Sequence, residues 1–348
     1  MRPWVVAVRA ALPSPRPQGW QASQMAAGLA RAGRPTRLLG DAGRPEGTPD
    51  TVDAWLGGIP AGLAVEVPAR PSRPPLAGLR FRRSLARLRS RDAVLLCRDP
   101  RVAATQPRGW AAVVMEWHVR PEPRALQRPD LHVTVAPGLA DDLRAAGVPE
   151  ERLLLLPNAC GLDPERAAAR RPLAGGPVLA LGLHRRGGLD LALQAWASDL
   201  ALPPLLLGGV DQGGERVQGW ARRVEEDPAL RGRVRFVGGA WADAREDLLD
   251  TVAAWLAVYP EDDDTRTRLC PLQVVDALGS GLPLVAPDLP SIRTLGGAVH
   301  AFAPGDPGAL VSAVHDALRA PAPAARRPSW TDRARTLADI VERRLEAA

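Results

Sequence analysis

Glu116 and His118 stand two residues apart at the end of an apolar run, residues 112–115, that reads as a β-strand. Strand side chains alternate between faces, so this spacing puts both on one side of a sheet. Imidazole is the side chain whose ordinary pKa lies near neutrality, although a lone histidine is most often structural. Arg98 follows another apolar run, 93–97, and is expected to face the same ligand cleft. Further along, a Gly-rich turn from Gly182 to Gly188 carries His184, Arg185 and Arg186. Guanidinium forks match phosphate oxygens in charge and geometry; the alternative is that these are solvent-facing turn residues. Pro271 opens a run that reads as a helix. Proline suits the first turn, where unpaired amides and the positive dipole end favour a diphosphate. Glu261, Asp262, Asp263 and Asp264 form an acidic run. Its oxygens suit a hard divalent cation, but a solvated loop is the ordinary reading.

The elements that must carry these residues alternate in type. Strand-like runs at 4–8, 37–39, 64–67, 93–97, 112–115 and 131–136 are interleaved with helices at 21–32 and 137–146, closed by Gly33 and Gly147. The pattern resets near 153–157, and residues 158–176, rich in Pro, Gly and Ala, read as a linker. Strands at 178–181, 205–207, 234–237, 255–258 and 284–286 then alternate with helices at 189–196, 216–226, 243–252, 271–278 and 306–318. Such alternation argues for parallel sheets with right-handed crossovers. We therefore expect an α/β protein of two Rossmann-like domains facing a cleft, residues 1–157 and 158–325, followed by a charged helix within 326–348. Leu337, Ile340, Val341 and Leu345 form a stripe on that helix that must cover apolar surface.

Composition narrows the partners. The chain has 348 residues and a formal charge of +6, and all 45 of its Lys-plus-Arg side chains are arginine. That is first a compositional bias, and second a supply of anion-binding groups. Eight arginines lie between Arg70 and Arg91, with Glu66 the acidic residue nearby. A solvated helix face accounts for them; contact with an anionic membrane or a lipid-phosphate acceptor is the sharper reading. No zinc-ligand spacing and no aromatic-plus-basic signature points to nucleic acid. Cys97, Cys160 and Cys270 form no CxxC pair, which suits a reducing compartment without a metal site. No run reaches the ~18 apolar residues of a membrane span, and residues 1–11 lack the pattern of a signal peptide. The expectation is a cytoplasmic protein, with peripheral contact to the inner face of a membrane as a further possibility of the arginine run.

The second half carries a set order of short motifs. A leucine run ends in Pro157-Asn158; Leu181-Gly182 precedes Gly188-Leu189-Asp190 and Gln194-Ala195; Arg235-Phe236-Val237 ends in Gly238. Finally a helix carrying Asp276 runs into Ala277-Leu278-Gly279-Ser280-Gly281-Leu282-Pro283-Leu284-Val285-Ala286. In this order they resemble the donor domain of the GT-B glycosyltransferases, specifically glycosyltransferase family 4. In the first half, Gly33 after its helix and Glu116-x-His118 are similar to that family more faintly.

The resemblance implies a retaining, metal-independent transfer from a nucleotide-sugar donor to an unidentified acceptor, with no other cofactor and no protein nucleophile. It implies donor contacts at Gly182, His184, Gly238, Pro271, Leu272 and Gln273, with Asp276 on the ribose hydroxyls. His118 would sit beside the donor sugar; Arg185 and Arg186, which the family does not have in this role, could supply the charge for the leaving diphosphate in place of the family's missing cations. Gly19, Arg98 and Glu116 fall on the acceptor side. The last helix would cross back onto the first domain. The sequence departs from the family in three places: Arg268 where a second glutamate is common, Gly187 where a lysine is common, and Gln273 where relatives with a shortened loop have lysine. Asp262-x-Asp264 resembles the metal-binding form of GT-A glycosyltransferases, a one-domain fold with the motif nearer its start. A catalytically silent GT-B relative that binds nucleotide-sugar or acts as a scaffold, and a nucleotide-sugar epimerase, stay open as alternatives. The epimerase would need a pair of cleft acids, and no convincing pair is seen.

Overall fold

The computed structural model describes all residues except 15, 42–49, 68–73, 183–187, 210–213, 240–241, 321–326 and 348, and the side chains of 74–77. The chain forms two compact units, Met1–Asn158 with Pro328–Ala348, and Ala159–Arg327.

The first unit is built on seven strands: β1 (Trp4–Ala11), β2 (Thr36–Asp41), β3 (Leu63–Glu66), β4 (Val94–Cys97), β5 (Ala112–Trp117), β6 (Leu131–Thr134) and β7 (Leu153–Leu155). All neighbours pair in parallel, in the order β3-β2-β1-β4-β5-β6-β7. Strands covered on both faces must be apolar throughout, and Trp4, Val5, Val6, Ala7 and Val8 are all buried. The order reverses between β1 and β4, which opens a crevice beyond their carboxyl ends.

The helix Pro17–Arg31 follows β1 and starts four residues before the apolar stripe predicts, because Pro17 occupies its first turn. The final helix, Trp330–Ala347, packs along it. Leu337 and Val341 of the predicted stripe are buried, and Arg34 clamps the helix through Asp339 at 3.1 Å and Glu342 at 2.9 Å. The arginine-rich segment is the amphipathic helix Pro74–Leu88. Phe81, Ser84 and Leu85 face inward while Arg80, Arg82, Arg83 and Arg87 are exposed, the solvated face that helical spacing predicts.

The second unit holds six parallel strands: β8 (Val178–Leu181), β9 (Leu205–Gly208), β10 (Val234–Val237), β11 (Ala254–Leu256), β12 (Leu284–Pro287) and β13 (His300–Phe302). Their order is β10-β9-β8-β11-β12-β13, with the reversal between β8 and β11. β13 escapes the sequence reading because it is three residues long and buries only Phe302. The segment read as a linker is instead packed into this unit. It contains the helix Pro164–Ala169, and Ala159, Cys160, Leu162 and Ala167 are buried. Arg170, 4% exposed, locks it down by donating to Ser280 O at 2.8 Å, Glu246 at 2.6 Å and Asp250 at 2.7 Å. The three cysteines are buried and form no disulfide. Among the described residues no helix is long and apolar enough to cross a membrane.

Gly28 is where the final helix comes closest to its neighbour. A Cβ there would lie 2.8 Å from the Trp330 carbonyl carbon and 3.1 Å from Ala334 Cβ. Backbone cannot yield as a flexible side chain can, so Gly28→Ala is expected to destabilise the protein by about 1–3 kcal/mol, the usual cost of overpacking. Denaturant unfolding of the variant measures this; an unchanged midpoint would show that the helix contact has room for the added methyl.

Candidate functional site

In the first unit, β5 delivers Glu116 and Trp117 to opposite faces of the sheet, as the pleat requires. Trp117 joins the core, where its indole donates to His132 Nδ1 at 3.0 Å. Glu116, 2% exposed, meets a cluster of cationic and polar groups. Arg333 Nη2 of the final helix lies 2.8 Å from Oε2, Arg98 Nε lies 3.4 Å from Oε1, and His118 Nε2 lies 2.6 Å from Oε1. Burial alone would raise the Glu116 pKa, but Arg333, His118 and Arg98 outweigh it and hold the carboxyl well below its usual range.

The same burial, helped by Arg98 and Arg333, lowers His118 to about 4 against the pull of Glu116. His118 is therefore neutral at neutral pH. An ionised carboxylate only accepts, so the proton sits on Nε2, and Nδ1 keeps its lone pair. The side chain is 19% exposed.

Arg98 stands at the end of β4 and braces the start of the Pro17–Arg31 helix across the β1/β4 reversal. It donates to Gln18 O at 2.8 Å and to the Gln21 side chain. Its side chain is 4% exposed, and burial, with Arg333, lowers its pKa to about 10 against Glu116. Arg98 and Glu116, expected on the acceptor side, are thus supports held by their own chain, because side chains this buried and this engaged offer no free surface. Gly19 is buried in the first turn of the same helix, where a Cβ would meet Ser14 Cβ at 2.7 Å. His132 is structural. Its Nε2 reaches Leu126 O at 3.2 Å, and burial together with Arg152 lowers its pKa to about 4.

In the second unit, Gly182 lies at the reversal between β8 and β11, and Gln273 is tied to the segment that follows β11, while Gly238 lies apart from them. β8 ends at Gly182, whose φ of +102° suits glycine. Gly188 caps the helix Leu189–Ser198 and donates to Val258 O at 3.1 Å, just beyond β11. Tyr259, the next residue, accepts a hydrogen bond from the Gln273 amide. Pro271 is the N-cap of the helix Leu272–Leu278 rather than its first turn. The helical ladder begins with Val274 and Val275 donating to Pro271 O, so the amides of Leu272 and Gln273 precede it. Gly238 is exposed at the end of β10, two strands from β8. His184, Arg185 and Arg186 lie outside the described residues.

Asp276 has a different task from the one the family resemblance implies. It is 5% exposed; one oxygen accepts from Gly161 N at 2.7 Å and the other from Arg245 Nη1 at 3.1 Å. Burial raises its pKa, with Arg245 and Gly161 opposing. In this structure both carboxylate oxygens of Asp276 are therefore engaged by its own chain. Nothing in the sequence signals Arg245 or Gly161 as its partners, which stand 31 and 115 positions away. In the acidic run, Asp262 caps the helix Asp263–Thr267 by accepting from Thr265 N at 2.7 Å, within a capping box. Among the described residues no group of three or more His, Cys, Asp or Glu side chains is placed to hold a metal ion.

Two imidazoles, the half-buried His118 and the buried His132, make stability depend on pH. Folding lowers both from 6.5 to about 4, so between those values the unfolded chain binds more protons than the folded one. Stability from this source is complete above pH 6.5 and is lost as pH falls toward 4. The melting temperature is expected to drop as pH is lowered through this window, and replacing His118 and His132 by Asn is expected to flatten the drop. Equal slopes in wild type and the double variant would show that these imidazoles are not buried neutral.

No family model matches the sequence, and no curated protein is significantly similar to it. Solved structures do match in fold. HepE (Alr3699) of Anabaena, solved in complex with UDP and glucose, superposes with a TM-score of 0.66 at 14% identity, over 100% of this chain and 99% of that one. The sucrose-phosphate synthase of Thermosynechococcus elongatus gives 0.64 at 18% identity, covering 99% and 94%. WaaG, a glycosyltransferase involved in lipopolysaccharide biosynthesis, gives 0.61 at 14% identity, covering 99% of each chain. With its two parallel sheets of seven and six strands, this chain has the fold of the GT-B glycosyltransferases.

Proposed function

We propose that the protein is a glycosyltransferase that moves a sugar from a nucleotide-sugar donor to an acceptor, with retention at the anomeric carbon and without a bound metal. The observation that carries this reading is the β8/β11 reversal. There Gly182 ends β8 with a φ of +102°, Gly188 donates to Val258 O, and the Gln273–Tyr259 bond ties the start of the Leu272–Leu278 helix to the segment after β11, in a fold shared with proteins solved with UDP and with UDP-glucose. Backbone amides at a helix start suit a diphosphate. Arg185 and Arg186 are proposed as the side chains that neutralise charge on the leaving group, a task for which the guanidinium fork is well shaped. Pro271, Gln273, His184 and Gly238 complete the proposed donor set. In the first unit His118 is the proposed substrate-facing group, since its Nδ1 is unprotonated while Glu116 and Arg98 are consumed as supports.

A binding-only relative is the second reading, and the Asp276–Arg245 pair favours it, because the one acidic residue of the donor motif is engaged internally. Two measurements decide. Calorimetry and thermal shift with UDP, GDP, ADP and TDP in EDTA are expected to show that one nucleotide binds without metal. A ligand at a hundred times its Kd raises stability by about 2.7 kcal/mol. Binding that appears only on addition of Mn would move the site to the acidic run. Where a nucleotide binds, release of free sugar or transfer from the matching donor identifies an enzyme, and intact donor with tight binding identifies the silent relative.

A further inference from the structure

We propose that Arg333 is a positioning residue for His118: its guanidinium holds the Glu116 carboxylate in place, and Glu116 in turn holds the imidazole with its proton on Nε2 and its Nδ1 lone pair available. This deepens the reading of His118 as a substrate-facing group and rests on it.

The geometry of Arg333 leaves its guanidinium a single place. Nε donates to Pro157 O at 2.7 Å, Nη2 donates to Leu156 O at 3.0 Å, Nη1 lies 3.3 Å from Met25 Sδ, and the Trp330 ring packs 5.4 Å from its central carbon. Held on these sides, Nη2 meets Glu116 Oε2 at 2.8 Å as an ion pair rather than an aligned hydrogen bond, with 1% and 2% of the two side chains exposed. In so dry a setting the attraction is little screened. Arg98 is the weaker partner at 3.4 Å, and its terminal nitrogens are spent on Gln18 and Gln21. Oε1 is then left to take the His118 Nε2–H at 2.6 Å. The charged groups acting on the imidazole are Glu116, Arg98 and Arg333. Glu116 favours its protonation and the two arginines oppose it. A residue 215 positions further along the chain than His118, Arg333, therefore sets which imidazole nitrogen carries the proton.

The test is the nitrogen spectrum of His118 in the full chain. Histidine is labelled with nitrogen-15, and the His118 signals are assigned by their loss in His118→Asn. Wild type is expected to show the Nε2–H tautomer alone through neutral pH. In Arg333→Met the two tautomers are expected to mix and the titration to move to higher pH, since a cation opposing the imidazolium is gone. Arg333→Lys keeps the charge, but one ammonium cannot reach Glu116, Leu156 and Pro157 together; its titration should stay near that of wild type while the single tautomer is lost. Arg34→Met loosens the same helix through Asp339 and Glu342. It should lower the melting temperature and leave His118 unchanged, which separates positioning from general support. A wild-type Nδ1–H tautomer overturns the proposal, as does a wild-type spectrum in both Arg333 variants. Should Arg333→Met fail to fold, the lysine variant decides alone. The readout does not use turnover. A wild-type protein that transfers no sugar would end the functional reading without touching this result, and an unmoved tautomer in an active enzyme would do the reverse.

Discussion

A carboxylate that is 2% exposed must be matched by cations and donors or it takes up a proton. Glu116 is matched by Arg333, Arg98 and His118, and most of the first unit's architecture follows from supplying those partners. β5 presents the carboxylate, β4 brings Arg98, and the final helix brings Arg333. The start of the Pro17–Arg31 helix is drawn into the same cluster through Gln18 and Gln21. The final helix cannot detach without stranding a buried charge, which typically costs about 3–5 kcal/mol. Gly28 lets that helix come close enough for Arg333 to reach.

The second unit solves a similar problem with the same residue type. Arg170 satisfies Glu246, Asp250 and the Ser280 carbonyl at once, and Arg245 joins Asp276 to the Gly161 carbonyl. Each contact set needs a planar fork with several donors, which a lysine ammonium does not provide. A chain without lysine is thus well supplied for buried multi-partner sites. Its exposed arginines, such as those of the Pro74–Leu88 helix, do a different and simpler job in water.

Burial also shapes the chemistry offered. The carboxylate and two guanidiniums are buried beside a half-buried imidazole, and desolvation, aided by the cations, keeps the imidazole neutral while the carboxylate directs its proton. A neutral histidine with a defined tautomer differs from a titrating one: it can accept a proton at Nδ1 without first losing one. Arg98 and Glu116 contribute to that state by being inaccessible.

Periodicity and composition were enough to determine the class of this protein. Apolar runs of strand length between helical stripes identified most strands of both sheets and most of the longer helices, because a strand buried on two faces must be apolar throughout. Glu116 and His118 were likewise legible as neighbours on one face, since the pleat is a local property. Partners separated by long stretches of chain were not legible. Nothing near Glu116 announces Arg333, nothing near Asp276 announces Arg245 or Gly161, and residues 158–176 look like a linker because their burial depends on Arg170 finding acids some 80 positions away. Helix Asp263–Thr267 and strand β13 are too short to carry a period of their own. Local pattern fixes which face a side chain takes; only packing decides whether that face meets water, a core or a buried charge, and packing gave Arg98 and Glu116 in one unit, and Asp276 in the other, partners from their own chain.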